Sequence, residues 1–213
     1  MSKIIINFQN IKSSINNSNV NIIAVSKTFS LDQIKPLVDF GHNHFGENKV
    51  QEAKNKWLNI RQNNPELQLH MLGKLQTNKA KDAVKLFDYI HSLDNENLAN
   101  AIAKNENLLG KKNKYFIQVN IGNEHQKSGM HIDKIPNFYL FCKKISLNII
   151  GLMCIPPNDN NAKKYFTEVS NLNKFLKLDQ ISMGMSADYL DAVKSGSTFV
   201  RIGSAIFGDR ITK

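Results

Sequence analysis

The chain has 213 residues, enough for one sizeable domain and few for two. Apolar residues make up 41% and charged residues 22%, an ordinary balance for a soluble globular protein, and no apolar run approaches the roughly 18–20 residues of a membrane span. The net charge of +10 would admit a polyanion, but only three arginines occur (Arg61, Arg201 and Arg210), the lysines are scattered, and no basic run is interleaved with aromatics. Neither nucleic acid nor a membrane is therefore an expected partner.

The N-terminal stretch MSKIIINFQNIKSSINNS lacks the apolar core and small-residue cleavage site of a signal peptide, so a cytoplasmic location is expected. Its apolar positions Ile4, Ile5, Phe8, Ile11 and Ile15 recur at helical spacing and predict a leading amphipathic helix. A continuous apolar run then predicts a strand over Asn21–Lys27, of the kind buried on both faces in a parallel sheet. Ser30 is placed to cap a helix over Leu31–Phe40, followed by a strand at His42–Phe45, a helix over Asn48–Ile60 and a strand at Leu67–Leu72. Further strands are expected at Tyr89–Ser92, Tyr115–Asn120, Leu147–Cys154, Gln180–Met183 and Thr198–Ile202. The helices between them cover Thr77–Leu86, Glu96–Asn105, Ile132–Ile145, Asn161–Leu176 and Ala187–Lys194. No Pro/Gly/Ser linker or charge block marks a boundary, so residues 1–213 are read as one domain. Strict β-then-α alternation predicts an α/β fold, a single (β/α)8 TIM-type barrel with an extra N-terminal helix; a doubly wound open sheet is the alternative. Cys142 and Cys154 belong to no CxxC or Cys/His cluster and read as buried free thiols rather than metal ligands.

In a parallel barrel the chemistry lies where strands end, and small or polar residues collect at those ends here. Lys27 closes the first strand, where partial desolvation would favour its neutral, nucleophilic amine; a solvated lysine past a strand end fits the position as well. Ser182-Met183-Gly184-Met185-Ser186 is a turn ahead of a helix, suited to a phosphate or to simple capping. Arg201 lies inside an apolar strand and needs a partner, which could be a carboxylate. Gly203 and Ser204 follow it with a close backbone approach and a hydroxyl.

Taken in order, several segments resemble the pyridoxal phosphate homeostasis family, the YggS/PROSC group, relatives of the barrel domain of alanine racemases. They are Ala24-Val25-Ser26-Lys27-Thr28, Phe45-Gly46-Glu47-Asn48 with Val50-Gln51-Glu52, and His70-Met71-Leu72-Gly73-Lys74-Leu75-Gln76. They continue through Val119-Asn120, Lys127-Ser128-Gly129, Gly151-Leu152-Met153, the Ser182–Asp188 turn and Gly196-Ser197-Thr198. The resemblance implies that pyridoxal 5′-phosphate is held as a Schiff base on Lys27. It implies that Arg201 faces the pyridine nitrogen, that Ser186, Gly203 and Ser204 bind phosphate, and that Asn48 stands on the rim beside the cofactor. The chain departs from the family pattern at Gly122-Asn123-Glu124-His125-Gln126, at Met71 and in its short tail Arg210-Ile211-Thr212-Lys213.

Two functions remain in view. One is a carrier or regulator in intracellular pyridoxal phosphate homeostasis, a monomer with pyridoxal phosphate-dependent apo-enzymes as partners and no clear turnover. The other is an amino-acid racemase, which needs a second acid/base opposite the lysine. In alanine racemases that group is a tyrosine from a further domain. None of Tyr89, Tyr115, Tyr139, Tyr165 and Tyr189 falls at a predicted strand-end position, which favours the carrier.

Overall fold

The computed structural model describes residues 2–124 and 126–208. The strands are β1 (Asn21–Val25), β2 (His44–Glu47), β3 (Gln68–Met71), β4 (Tyr89–Leu93), β5 (Lys114–Val119), β6 (Ile149–Cys154), β7 (Gln180–Ser182) and β8 (Phe199–Ile202). Ahead of β1 runs α1 (Lys3–Ile15), and the crossovers are α2 (Leu31–Asp39), α3 (Val50–Asn63), α4 (Ala80–Leu86), α5 (Glu96–Leu109), α6 (Ile135–Lys144), α7 (Ala162–Phe175) and α8 (Tyr189–Lys194). A last helix, α9 (Ser204–Phe207), follows β8.

Every strand pairs in parallel with its neighbour, and β8 pairs back onto β1 with Ile23 opposite Arg201, so the sheet closes into a barrel and the open-sheet alternative is ruled out. Closure leaves no exposed sheet edge. Helix α1 turns Phe8, Ile11 and Ile15 inward and packs at the β8–β1 seam. Two bonds tie it there: Asn7 Nδ2 donates to the Ile206 carbonyl at 3.1 Å, and the Ser14 and Tyr189 hydroxyls meet at 3.0 Å.

Side chains alternate across each strand. The outward set, with Ile22, Ala24, Phe45, Leu69, Leu152 and Val200, joins the helices in one large apolar layer. The inward set is a separate small cluster of Ile23, Tyr89, Phe116, Met153 and Phe199. Branched aliphatic side chains dominate most barrel interiors. Here the lumen also takes in the buried polar residues His70, His91, Ser182 and Arg201.

Every expected strand and helix forms, several with shifted ends. The β1 strand stops at Val25, although the ladder runs one residue further through the Ser26 N–H to the Gly46 carbonyl at 2.9 Å. The β2 strand starts two residues later than the sequence suggests and includes Glu47, which pairs with Met71. Helix α8 begins at Tyr189 rather than Ala187, because Asp188 Oδ1 accepts the Met185 N–H at 2.6 Å and keeps the intervening residues in a turn. Helix α9 is a single turn that fixes only Ile206 in the core, too short to leave a period in the sequence. His125 and the tail Arg210–Lys213, both noted as departures from the family, lie outside the described residues. Both cysteines are free and buried, and burial pushes each thiol up to about 12.

Candidate cofactor site

Lys27 is half-buried just past β1, and the two-residue alternation puts it on the lumen side with Ile23. The residues on either side of it are clamped. Lys56 Nζ, on α3, donates to the Ser26 carbonyl at 2.8 Å, to Glu47 Oε1 at 3.0 Å and to Glu52 Oε1 at 3.1 Å. Glu47 is fully buried, and the same oxygen accepts the Ser26 hydroxyl at 2.7 Å and the Trp57 indole N–H at 2.9 Å. Beyond Lys27, the Thr28 N–H donates to Glu52 Oε1 at 2.6 Å. Thr28 has φ +69°, a left-handed conformation that a β-branched residue adopts only when its surroundings enforce it. Burial raises the Glu52 carboxyl, but the Thr28 amide and the Lys56 ammonium outweigh it and hold the group below its usual range.

Arg201 is the third residue of β8 and is 5% exposed. The expectation that a carboxylate might pair with it fails: Nη1 donates to Ser182 Oγ at 2.8 Å and Nη2 to the Cys154 carbonyl at 2.8 Å, both uncharged acceptors. Among the described residues no salt bridge reaches the guanidinium. Burial lowers its pKa, while Cys154 and Asp188 act to raise it. A buried cation with only neutral partners is costly unless a ligand completes its shell.

The turn after β7 comes back to the end of β8. Ser186 Oγ accepts the Ala205 N–H at 3.4 Å, so Ser186 does not cap α8 but sits beside Gly203 and Ser204. Gly184 makes this possible: its φ is +92°, and a Cβ there would come within 2.6 Å of the Ala192 methyl. The Gly184 carbonyl also accepts the Arg201 N–H at 2.9 Å, tying the turn to the arginine strand. The half-buried Ser186 and Gly203 and the exposed Ser204 thus form one patch next to Lys27, since β8 borders β1.

Asn48 stands apart from that patch. It lines a rim pocket of about 250 Å³ with Gly73, Lys74, Asn120 and Lys127, and none of the other expected site residues lines it. A Cβ at Gly73 would run into the Asn48 carbonyl, so the close crossing of these two loops requires glycine. A larger cavity, about 440 Å³, opens at the opposite mouth among strand starts such as Tyr89, Lys114 and Phe199, and contains none of the expected residues. We assign the chemistry to the C-terminal rim despite that larger cavity, because the lysine, the buried arginine and the hydroxyl patch converge there.

Two sets of residues escaped the sequence reading. One is the Glu47–Lys56–Trp57 clamp, whose signal is an acid and a lysine at helical spacing from the rim. The other is a row of lumen histidines, His44, His70 and His91, one on each of three successive strands.

The sequence matches the alanine racemase N-terminal domain family over residues 1–211. It is 36% identical over 204 residues to the pyridoxal phosphate homeostasis protein of Vibrio cholerae, covering 91% of this chain and 86% of that one. This chain belongs to the pyridoxal phosphate homeostasis family. Another member, from Pasteurella multocida, is 38% identical, with 91% of this chain and 88% of that one covered. PipY of Synechococcus elongatus, solved with pyridoxal phosphate bound, superposes with a TM-score of 0.88 at 32% identity, over 96% of this chain and 100% of that one. The family fold extends to an alanine racemase of Clostridium difficile, at 17% identity and a TM-score of 0.76, with 99% of this chain and 57% of that one covered; that likeness concerns the fold alone.

Proposed function

We propose that this chain binds pyridoxal 5′-phosphate at the C-terminal rim, through a Schiff base on Lys27, and serves as a carrier and regulator in intracellular pyridoxal phosphate homeostasis. The single observation that carries the reading is Arg201, a buried guanidinium whose hydrogen-bond acceptors among the described residues are neutral, on the strand next to the one that runs into Lys27. The names of the relatives and the cofactor bound by PipY support the same assignment.

The donor set suits this group. When bound, the cofactor supplies an aldehyde for a lysine amine and a ring that withdraws electrons from attached carbon. Lys27 provides the amine, held in place by the clamped peptides at Ser26 and Thr28. Ser186, Gly203 and Ser204 provide hydroxyls and close backbone for the phosphate. A guanidinium holds its proton in proteins, so Arg201 would donate toward the ring nitrogen instead of protonating it. An unprotonated ring is a weak electron sink, which suits holding the cofactor better than turning over amino acids. Asn48 borders the site from the neighbouring rim pocket.

No specific observation favours a racemase. Four of the five tyrosine hydroxyls are engaged away from the patch, with Lys114, Glu106, Asp159 and Ser14, and Tyr139 borders the cavity at the opposite mouth. A monomer in the cytoplasm that hands the cofactor to dependent apo-enzymes completes the proposal; no helix of the described residues is long and apolar enough to cross a membrane.

Titration of cofactor-free protein with pyridoxal phosphate and with pyridoxal tests the site. Ser186→Ala and Ser204→Ala each remove a hydrogen bond to a charged group, worth about 1.5–3 kcal/mol, and should weaken pyridoxal phosphate far more than pyridoxal. Equal losses for the two ligands would remove these serines from the phosphate site.

A further inference from the structure

An unbroken chain of side-chain hydrogen bonds runs down the barrel from Arg201. Arg201 Nη1 meets Ser182 Oγ at 2.8 Å, and Ser182 Oγ meets His91 Nδ1 at 2.9 Å. His91 Nε2 meets His70 Nδ1 at 2.9 Å, and His70 Nε2 meets His44 Nδ1 at 3.0 Å. Ser182, His91 and His70 are fully buried. His44 is half-buried and lines a pocket at the opposite mouth with Lys12 and His42. Rings fix the geometry: His70 stacks on Tyr89 and His91 on Phe116, each with centroids 4.3 Å apart.

The hydrogens follow from elementary accounting. Arginine can only donate, so Ser182 Oγ accepts from it. The Ser182 hydroxyl hydrogen then goes to His91 Nδ1. Burial holds all three imidazoles below their ordinary pKa and therefore neutral, with Lys114 acting in the same direction on His44 and His70, and Arg201 on His91. A neutral imidazole carries one hydrogen, so His91 is protonated on Nε2 and donates to His70 Nδ1, and His70 in turn donates to His44 Nδ1. The charged groups that bear on the chain are Arg201 at one end and Lys114, Asp88 and, through His42, Lys12 at the other.

We propose that Ser182, His91, His70 and His44 form a polarised hydrogen-bond relay through the barrel, which holds the Arg201 guanidinium in place and ties its orientation to the tautomers of three histidines reaching the opposite mouth. Every hydrogen points away from the arginine, from the Ser182 hydroxyl to His91, from His91 to His70 and from His70 to His44, and none is transferred. The relay belongs to this chain's own residues; only its meaning for the ring nitrogen rests on the cofactor reading, and the test below needs no cofactor.

Nitrogen-15 NMR of histidine-labelled protein without cofactor, at neutral pH, reads the tautomers directly. The expected result is a single pattern at His44, His70 and His91, with hydrogen on Nε2 and a bare Nδ1. Ser182→Ala removes the donor that sets the polarity. The tautomer balance should then shift at His70 and His44 as well as at His91. His44→Phe removes the last acceptor, and the tautomer balance at His70 should shift with it. Mixed or Nδ1-protonated rings in the wild type would overturn the proposal. So would a Ser182→Ala effect confined to His91, or a His70 tautomer indifferent to His44→Phe. A failure to bind pyridoxal phosphate would leave all three readouts intact and would count only against the cofactor assignment.

Discussion

Acid should destabilise this fold well above the pH at which carboxylates titrate. His70 and His91 are fully buried, and burial, reinforced by their neighbours' positive charge, keeps them neutral well below their ordinary pKa of 6.5. His42 is lowered to about 4, first by burial and then by His44. In the unfolded chain all three bind protons near pH 6.5, so between about pH 6 and 5 the unfolded state carries nearly three more protons than the folded one. The sign is therefore fixed: the stability these groups confer is present above about pH 6.5 and is lost as pH falls toward the folded values. Each histidine costs about 1.4 kcal/mol per pH unit in this window, for a total near 4 kcal/mol per unit. That is a large share of the roughly 5–15 kcal/mol of a typical domain. Urea unfolding at pH 7.5, 6 and 5, followed by circular dichroism, measures it. A slope below about 1 kcal/mol per unit would show that the lumen histidines are not held neutral, and the electrostatic reading of the barrel would be wrong.

Three further outcomes are expected. Lys56→Met leaves Glu47 buried beside Ser26 without its cation and should cost about 3–5 kcal/mol by denaturant unfolding; a cost under 1 kcal/mol would show that Lys56 does not hold the Lys27 turn together. Arg201→Glu should change the absorbance and pH titration of bound pyridoxal phosphate, because a carboxylate favours a protonated ring nitrogen; an unchanged titration would mean that Arg201 does not face the ring. Wild-type protein loaded with cofactor should racemise alanine far more slowly than the ordinary enzymatic range of about 1–1,000 per second, and a rate within that range would refute the carrier reading.

The barrel was legible because parallel strands buried on both faces leave continuous apolar runs, as in Ile22-Ile23-Ala24-Val25, and because helices alternate with them. Lys27 and Arg201 were legible for a related reason: each is a charge set at or inside such a run. The histidines were not. A lone histidine within His44-Phe45, within Gln68–Met71 or within Tyr89–Leu93 reads as a satisfied core residue. Only the lateral neighbours set by strand register turn three separate histidines into one chain. Ser186 lies beside Gly203 and Ser204 for a different reason than its spacing suggested. The turn before α8 runs on to Asp188, and the partner of Ser186 is the backbone after β8, a contact between segments far apart in sequence. Asn48 stands at the rim just past β2, and the pocket it lines faces β3 and β5 rather than the hydroxyl patch.

The central claim is the covalent link to Lys27. Protein saturated with pyridoxal phosphate, reduced with borohydride and digested, can be mapped by mass spectrometry. The account predicts loss of the near-visible absorbance band and a reduced pyridoxyl adduct on Lys27, abolished in Lys27→Ala. An adduct found only on other lysines, or one that persists undiminished in Lys27→Ala, would contradict it.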